Sequence, residues 1–363
     1  MSKYYEHDLY SHPAILYDKS SNGNKETHCK LCSHYCDIKE GNVGTCLLRK
    51  NIDGELFTMS WGRTEGLAVD PIEKKPFYHF KPASKVLSFG TPGCNFKCMN
   101  CQNWQLSQAV KNYSDEALRM NILKPGHIAE YASLYRLDGI AYTYSEPTIF
   151  FEYARDTIHA CRKNKKTENI FHVFVSNGFF SKETFDLIDK ENLLQAINID
   201  LKFMDDKKYR KISGGELQPV LDSIKRVADM KEKIHMEIIN LIIPGENDSD
   251  DDIEKLCDFI YSLSPDIPLH FSRFYPHYKF SGKPATSLVT LKRAREIAIK
   301  QGLHYIYIGN TNIPGAEDTH CPKCNQLLIS RTIYGITKNN IIQDQKSGKP
   351  LCPDCKTEIP VIM

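Results

Sequence analysis

From residue 85 to residue 310, short apolar runs alternate with stretches of helical period. Runs at 86–90, 140–144, 171–175, 196–201, 235–243, 269–274 and 305–308 are rich in β-branched and aromatic residues and predict strands. Between them, 125–137, 147–163, 182–191, 217–230, 250–262 and 288–300 place apolar residues three or four apart and predict amphipathic helices. Pro125 and the acidic run at 248–252 are helix-start signals. Strands alternating with helices imply an α/β fold with a parallel sheet and right-handed crossovers. Six or seven such units predict a full or partial barrel, with its chemistry at the C-terminal ends of the strands. The flanks differ. Residues 1–60 read as an irregular cysteine-bearing module, 61–314 as the barrel and 315–363 as a third segment with paired cysteines.

Composition narrows the class. The 363 residues are 25% charged and 41% hydrophobic, as in ordinary globular proteins. A net charge of +2 gives no global case for nucleic-acid or anionic-membrane binding. The start, MSKYYEHDLYSHPA, has no apolar signal core, and no run approaches the roughly 20 apolar residues of a membrane span. A cytoplasmic protein is expected. Thirteen cysteines are many for that compartment. Cys161 and Cys257 lie on apolar helical stripes and read as core residues. The other eleven fall into sets of four, three and four, which points to metals rather than disulfides.

The middle set is the most informative. In GTPGCNFKCMNC (90–101), Cys94, Cys98 and Cys101 follow directly on the first predicted strand. Structural zinc and ordinary iron–sulfur sites usually take four protein ligands, and an open position marks catalysis. A zinc site completed by a distant histidine is the alternative. C-x3-C-x2-C at the end of a first strand resembles the radical SAM superfamily. That resemblance implies a [4Fe-4S] cluster on three cysteines, S-adenosylmethionine (SAM) on the fourth iron, and a 5′-deoxyadenosyl radical that abstracts hydrogen from a substrate.

Other strand ends supply further candidates. After the second strand, Glu146 with Ser145 resembles the family's small-small-Glu stretch that binds the methionine ammonium; otherwise Glu-Pro starts a helix. Ser176 and Asn177 after the third strand can reach methionine or ribose, or form a plain turn with Gly178. Asp200 and Lys202 alternate with apolar residues, so they share one face as a ligand-binding floor or a structural ion pair. Pro244, Gly245 and Asn247 follow the fifth strand, where they contact adenine or methionine or merely cap a loop. After the sixth, Arg273 is a candidate for an anionic substrate group and His277 for the adenosyl group.

DPIEKKPFYHF (70–80), GCNFKCMNCQNWQLSQ, IAYTYSEPTIFFEY, NIDLK, IPGENDS, FSRFYPHYKF and YIYIGN occur in order, with CKLCSHYC before them and HCPKCNQLLISR after. Together they resemble the AmmeMemoRadiSam system radical SAM enzyme, which is pyruvate formate-lyase activating enzyme-like. The resemblance implies a partial (β/α)6 radical SAM barrel with a small cysteine-rich N-terminal module and a zinc-ribbon-like C-terminal module. It also implies Memo-like and AMMECR-type partner proteins and an electron donor such as ferredoxin or flavodoxin. A glycyl-radical enzyme activating enzyme is the alternative activity. Asn100 departs from the aromatic often found before the third cysteine, so Tyr144 or His277 would have to pack on adenine. Ser33 stands where a proline is expected. Residues 70–80 read as a flap bringing Lys75 or His79 to the substrate, or as a rigid connecting loop.

The outer sets look closed. Cys321, Cys324, Cys352 and Cys355 form two C-P-x-C knuckles 27 residues apart, the pattern of a structural zinc ribbon, with a [4Fe-4S] cluster as competitor. Cys29, Cys32, Cys36 and Cys46 can hold zinc or an auxiliary cluster, and His34 can replace one of them.

Overall fold

The computed structural model describes residues 12–21, 24–332 and 335–363, so most of the polar N-terminal stretch lies outside the described residues. Seven strands run parallel in chain order: Lys85–Gly90, Gly139–Tyr142, Phe171–Ser176, Ala196–Asp200, His235–Ile242, Leu269–Arg273 and Ile306–Gly309. An antiparallel strand, Glu65–Pro71, pairs with the first and makes the sheet eight-stranded. The seventh strand and this antiparallel strand are edges, so the barrel is partial.

Local chemistry explains the alternation. The strand residues Ile140, Ala141, Tyr142, Val173 and Phe174 are fully buried, as two covered faces demand. Each crossover helix buries one stripe; Leu217–Asp229 turns in Val220, Ile224 and Val227. Ser181, Ser249 and Ser287 are N-caps whose hydroxyls accept from Thr184, Asp252 and Thr290 N–H groups at 3.1, 3.2 and 3.0 Å. Cys161 and Cys257 are core residues with no exposed surface. Among the described residues no helix is long and apolar enough to cross a membrane.

Residues 70–80 do not form a flap at the barrel mouth. They complete the edge strand and then seal the opposite end of the sheet. Glu237, fully buried on the fifth strand, accepts from the N–H groups of Tyr78 (2.9 Å) and His79 (2.8 Å). His270 Nε2 (2.6 Å) and His235 Nε2 (3.1 Å) complete its shell. His79 therefore lies far from where it was expected. Its Nδ1 meets Pro360 O at 3.0 Å and its Nε2 meets Tyr307 OH at 2.6 Å. The C-terminal module docks here too: Ile362 N–H bonds His79 O at 2.7 Å, and Arg331 Nη2 bonds Tyr78 O at 2.6 Å.

This floor makes stability depend on acid. Burial pushes the pKa of His79 down to about 3, and that of His172 likewise to about 3. Both stay neutral when folded but gain a proton when unfolded below about pH 6.5. The unfolded chain then binds more protons, so stability falls as pH drops from about 6.5 towards about 3. Each histidine contributes up to about 1.4 kcal/mol per pH unit. Melting temperatures from pH 7 to 4.5 should fall more steeply for the native chain than for His79→Gln. Equal slopes would show that His79 is not part of the acid response.

Candidate active site

The loop after the first strand turns sharply at Gly93, whose φ is +103°; a Cβ there would stand 2.5 Å from Leu48 of the N-terminal module. Lys97 and Met99 N–H groups bond Ser213 O (2.8 Å) and Ile212 O (2.9 Å), which hold the loop down. As a result Cys94, Cys98 and Cys101 line one cavity of about 270 Å³ at the C-terminal ends of the strands. Ser145, Glu146, Ser176, Asn177, Asp200 and Lys202 line the same cavity. These six sequence candidates and the three cysteines are therefore brought together.

Glu146 is fully buried and already well served. Its Oε1 accepts from Thr148 N–H (3.0 Å), Thr148 Oγ1 (2.6 Å) and Ser176 Oγ (2.8 Å), and its Oε2 accepts from Asn177 N–H (2.8 Å). It caps the short helix Pro147–Phe150, so the helix-start reading and the site reading hold at one residue. Burial raises its pKa, against these hydrogen bonds. Oε2 has room for one more donor. Asn177 Nδ2 bonds Asn95 Oδ1 at 2.8 Å, which ties the third strand end to the cysteine loop.

Asp200 and Lys202 form an ion pair facing the cavity. Burial opposes the charge on Lys202, but Asp200 and Cys98 outweigh it and raise its pKa. The Cys98 thiol is pushed up to about 11 by burial, with Lys202 easing the shift. Asp200 Oδ1 and Asn100 Oδ1 are buried without a hydrogen-bond partner, and both residues line the cavity. Unpartnered polar atoms of this kind await a ligand or water.

The donor set also says what it suits. Thiolates on one tetrahedral zinc stand about 3.8 Å apart, given Zn–S near 2.3 Å. The C-terminal set meets that measure: Cys321–Cys355 and Cys324–Cys352 sulfurs are 3.5 and 3.6 Å apart, and all four lie within 4.8 Å. Among the described residues the triplet sulfurs are not gathered within that limit. Three spaced thiolates fit a [4Fe-4S] cluster, where each binds a different iron.

Several candidates fall outside. Asn247 donates to Lys202 O and Leu241 O, both at 2.9 Å, and accepts from Ile243 N–H at 2.7 Å, so it staples the fifth strand end. Gly245 N–H bonds Asp248 Oδ1 at 2.8 Å and Pro244 O accepts from Lys283 at 3.2 Å. Neither lines the cavity, where Ile239 and Leu241 represent that strand. Arg273 turns to Thr286 O at 2.8 Å and stacks 4.9 Å over Tyr275; its neighbour Ser272 lines the cavity instead. His277 stands just before the helix Tyr278–Phe280, makes no side-chain cap bond there and does not line the cavity. Lys75 is buried, pairs with Asp70 at 2.7 Å and lies 4.6 Å below the Tyr144 ring. It approaches the cavity only through Tyr144, whose hydroxyl donates to Asp70 Oδ2 at 2.8 Å.

Tyr144 itself lines the cavity with a φ of +66°, unusual for a bulky residue. Asn103 Nδ2 holds its carbonyl at 2.9 Å. Sequence reading missed Gln102, Asn103, Ser107 and Gln108 as lining residues. The clustering of amide and hydroxyl side chains just past Cys101 was the available signal.

The sequence model of the Radical SAM superfamily matches residues 89–260. The chain is 38% identical over 353 residues to an uncharacterized protein of Methanocaldococcus jannaschii, covering 96% of this chain and 99% of that one. It is 24% identical over 181 residues to the pyruvate formate-lyase 1-activating enzyme of Escherichia coli strain K12, covering 49% of this chain and 69% of that one. A solved domain of a pyruvate-formate lyase-activating enzyme from Bacteroides vulgatus matches with a TM-score of 0.39 at 21% identity, over 47% of this chain and 99% of that one.

Proposed function

The chain belongs to the radical SAM superfamily and is an enzyme of it, and from that premise we propose that it cleaves SAM reductively in the cavity at the strand ends. The observation that carries the proposal is one cavity lined by Cys94, Cys98, Cys101, Glu146, Asp200 and Lys202. A [4Fe-4S] cluster held there would supply the one-electron reduction of SAM that radical chemistry on a substrate requires.

The chain's own residues do the rest. Cys94, Cys98 and Cys101 would hold the cluster. Glu146 Oε2 accepts from the methionine ammonium, a charge-assisted bond in a buried setting. Ser176 and the Asn177 N–H keep that carboxylate oriented. Lys202 balances thiolate charge beside Cys98, and the Asp200–Lys202 pair offers hydrogen bonds to a polar ligand. Aliphatic Ile239 and Leu241 and the Tyr144 ring supply part of the cavity's apolar lining.

The fuller reading is an enzyme that works with a Memo-like and an AMMECR-type protein in a reducing compartment, fed by ferredoxin or flavodoxin. The C-terminal four-cysteine site, with its small core of Leu328, Ile329, Ile359 and Val361, supports a structural zinc. Activation of a glycyl-radical enzyme is the second reading, favoured by the likeness to the Escherichia coli activating enzyme. Anaerobic incubation with SAM and dithionite tests the core proposal. 5′-Deoxyadenosine should form; its absence beside an active control enzyme overturns it. Adding the two partner proteins separates the readings, since only the first expects their presence to change turnover.

A further inference from the structure

Four cysteines remain outside this chemistry. Cys29 ends the strand Thr27–Cys29 and its N–H bonds Cys36 O at 2.9 Å, so Cys32 sits on the knuckle between them. The following turn, closed by Leu47 N–H on Gly44 O at 2.8 Å, carries Cys46. Thr45 lays its N–H and hydroxyl on Cys36 Sγ at 3.5 and 3.2 Å. Thr45 is next to Cys46, so its bonds to Cys36 Sγ bring the two turns together.

Their spacing differs from that of the C-terminal set. Among the described residues only Cys321, Cys324, Cys352 and Cys355 gather their sulfurs within 4.8 Å; no three of the N-terminal sulfurs do so. One zinc would require sulfurs about 3.8 Å apart. Four thiols on two apposed turns, not gathered on one point, suit a cluster that gives each its own iron. Donors to sulfur are in place as well: besides Thr45, the fully buried Arg49 sends Nη1 to Cys29 Sγ at 3.5 Å. Hydrogen bonds of this kind tune cluster potentials.

The set also lies against the triplet loop. His34, between Cys32 and Cys36, bonds Asn95 O at 2.9 Å, next to Cys94. Lys111 donates to Cys94 O at 3.0 Å and to Phe96 O at 2.6 Å.

We infer that Cys29, Cys32, Cys36 and Cys46 hold a second [4Fe-4S] cluster, closed by four protein ligands and set against the loop of the first. A closed cluster has no open iron for SAM; its chemistry is one-electron exchange with an iron–sulfur or flavin donor.

The test uses the full chain with Cys94→Ala, Cys98→Ala and Cys101→Ala together, reconstituted anaerobically with ferrous iron and sulfide. It should keep about four irons and four sulfides per chain and give an electron paramagnetic resonance signal on reduction. Adding Cys32→Ser and Cys36→Ser should remove them. Little or no iron in the folded triple variant, zinc in its place, or iron that survives the outer substitutions overturns the inference. Should the triple variant not fold, the native chain decides: about eight irons, falling to about four in Cys32→Ser/Cys36→Ser, supports the second cluster, and about four in both overturns it. Failure of SAM cleavage in the native chain is a separate result, since iron in the triple variant does not depend on it.

Discussion

Replacing Cys98 by alanine is expected to abolish 5′-deoxyadenosine formation. Cys98 is one of three thiols on the cavity wall, and no other cysteine lines that cavity. Losing a group that merely orients a metal ligand typically costs 10–100-fold, so losing a ligand should cost more than about a hundredfold. Burial pushes the Cys98 thiol up to about 11, and Lys202 beside it works in the opposite direction. Cys257→Ala is the control, because Cys257 is a buried thiol that packs in the helix Asp250–Leu263 and does not line the cavity. That variant should lose some stability and keep its activity. Product formed by Cys98→Ala at near-native rate would falsify the ligand assignment, and the cavity would then need another chemistry.

The parts that were legible in sequence follow simple periodicities. The first strand is predicted at 86–90 and found at Lys85–Gly90; the fourth is predicted at 196–201 and found at Ala196–Asp200. Period two placed Asp200 and Lys202 on one face, and both line the cavity. What was not legible depends on contacts far apart in sequence. The edge strand Glu65–Pro71 is mostly exposed and carries no apolar alternation, so only its pairing with the first strand reveals it. His79 and Lys75 share a segment rich in charge and aromatics, which resembles a mobile flap until Glu237, 158 residues away from His79, captures its backbone. Asn247 and Arg273 stand at strand ends as ligands would. Their partners, Lys202 O and Thr286 O, are backbone carbonyls that no side-chain pattern announces.

The largest expected loss of stability is at Glu152. Its Oε1 meets Arg49 Nη2 and also accepts from Ile15 N–H at 2.9 Å. Both side chains are essentially sealed from solvent, at 1% and 2% exposure. The pair joins the N-terminal module to the helix Phe151–Lys163 of the barrel, and Arg49 continues to Ile15 O at 2.8 Å and to Cys29 Sγ. Glu152→Leu leaves a guanidinium buried without its counter-charge, which should cost about 3–5 kcal/mol. Arg49→Met with Glu152→Leu removes both charges. It should recover part of that loss, because a buried pair contributes little beyond its own desolvation cost. Recovery will be incomplete, since Ile15 N–H and Ile15 O lose their partners in the double variant. Denaturant unfolding of the two single variants and the double variant gives the coupling directly. If the losses simply add, Arg49 and Glu152 do not act as a pair, and the module must be held by bonds such as those the Ser33 and Ser181 hydroxyls donate to Phe180 O and Lys30 O instead.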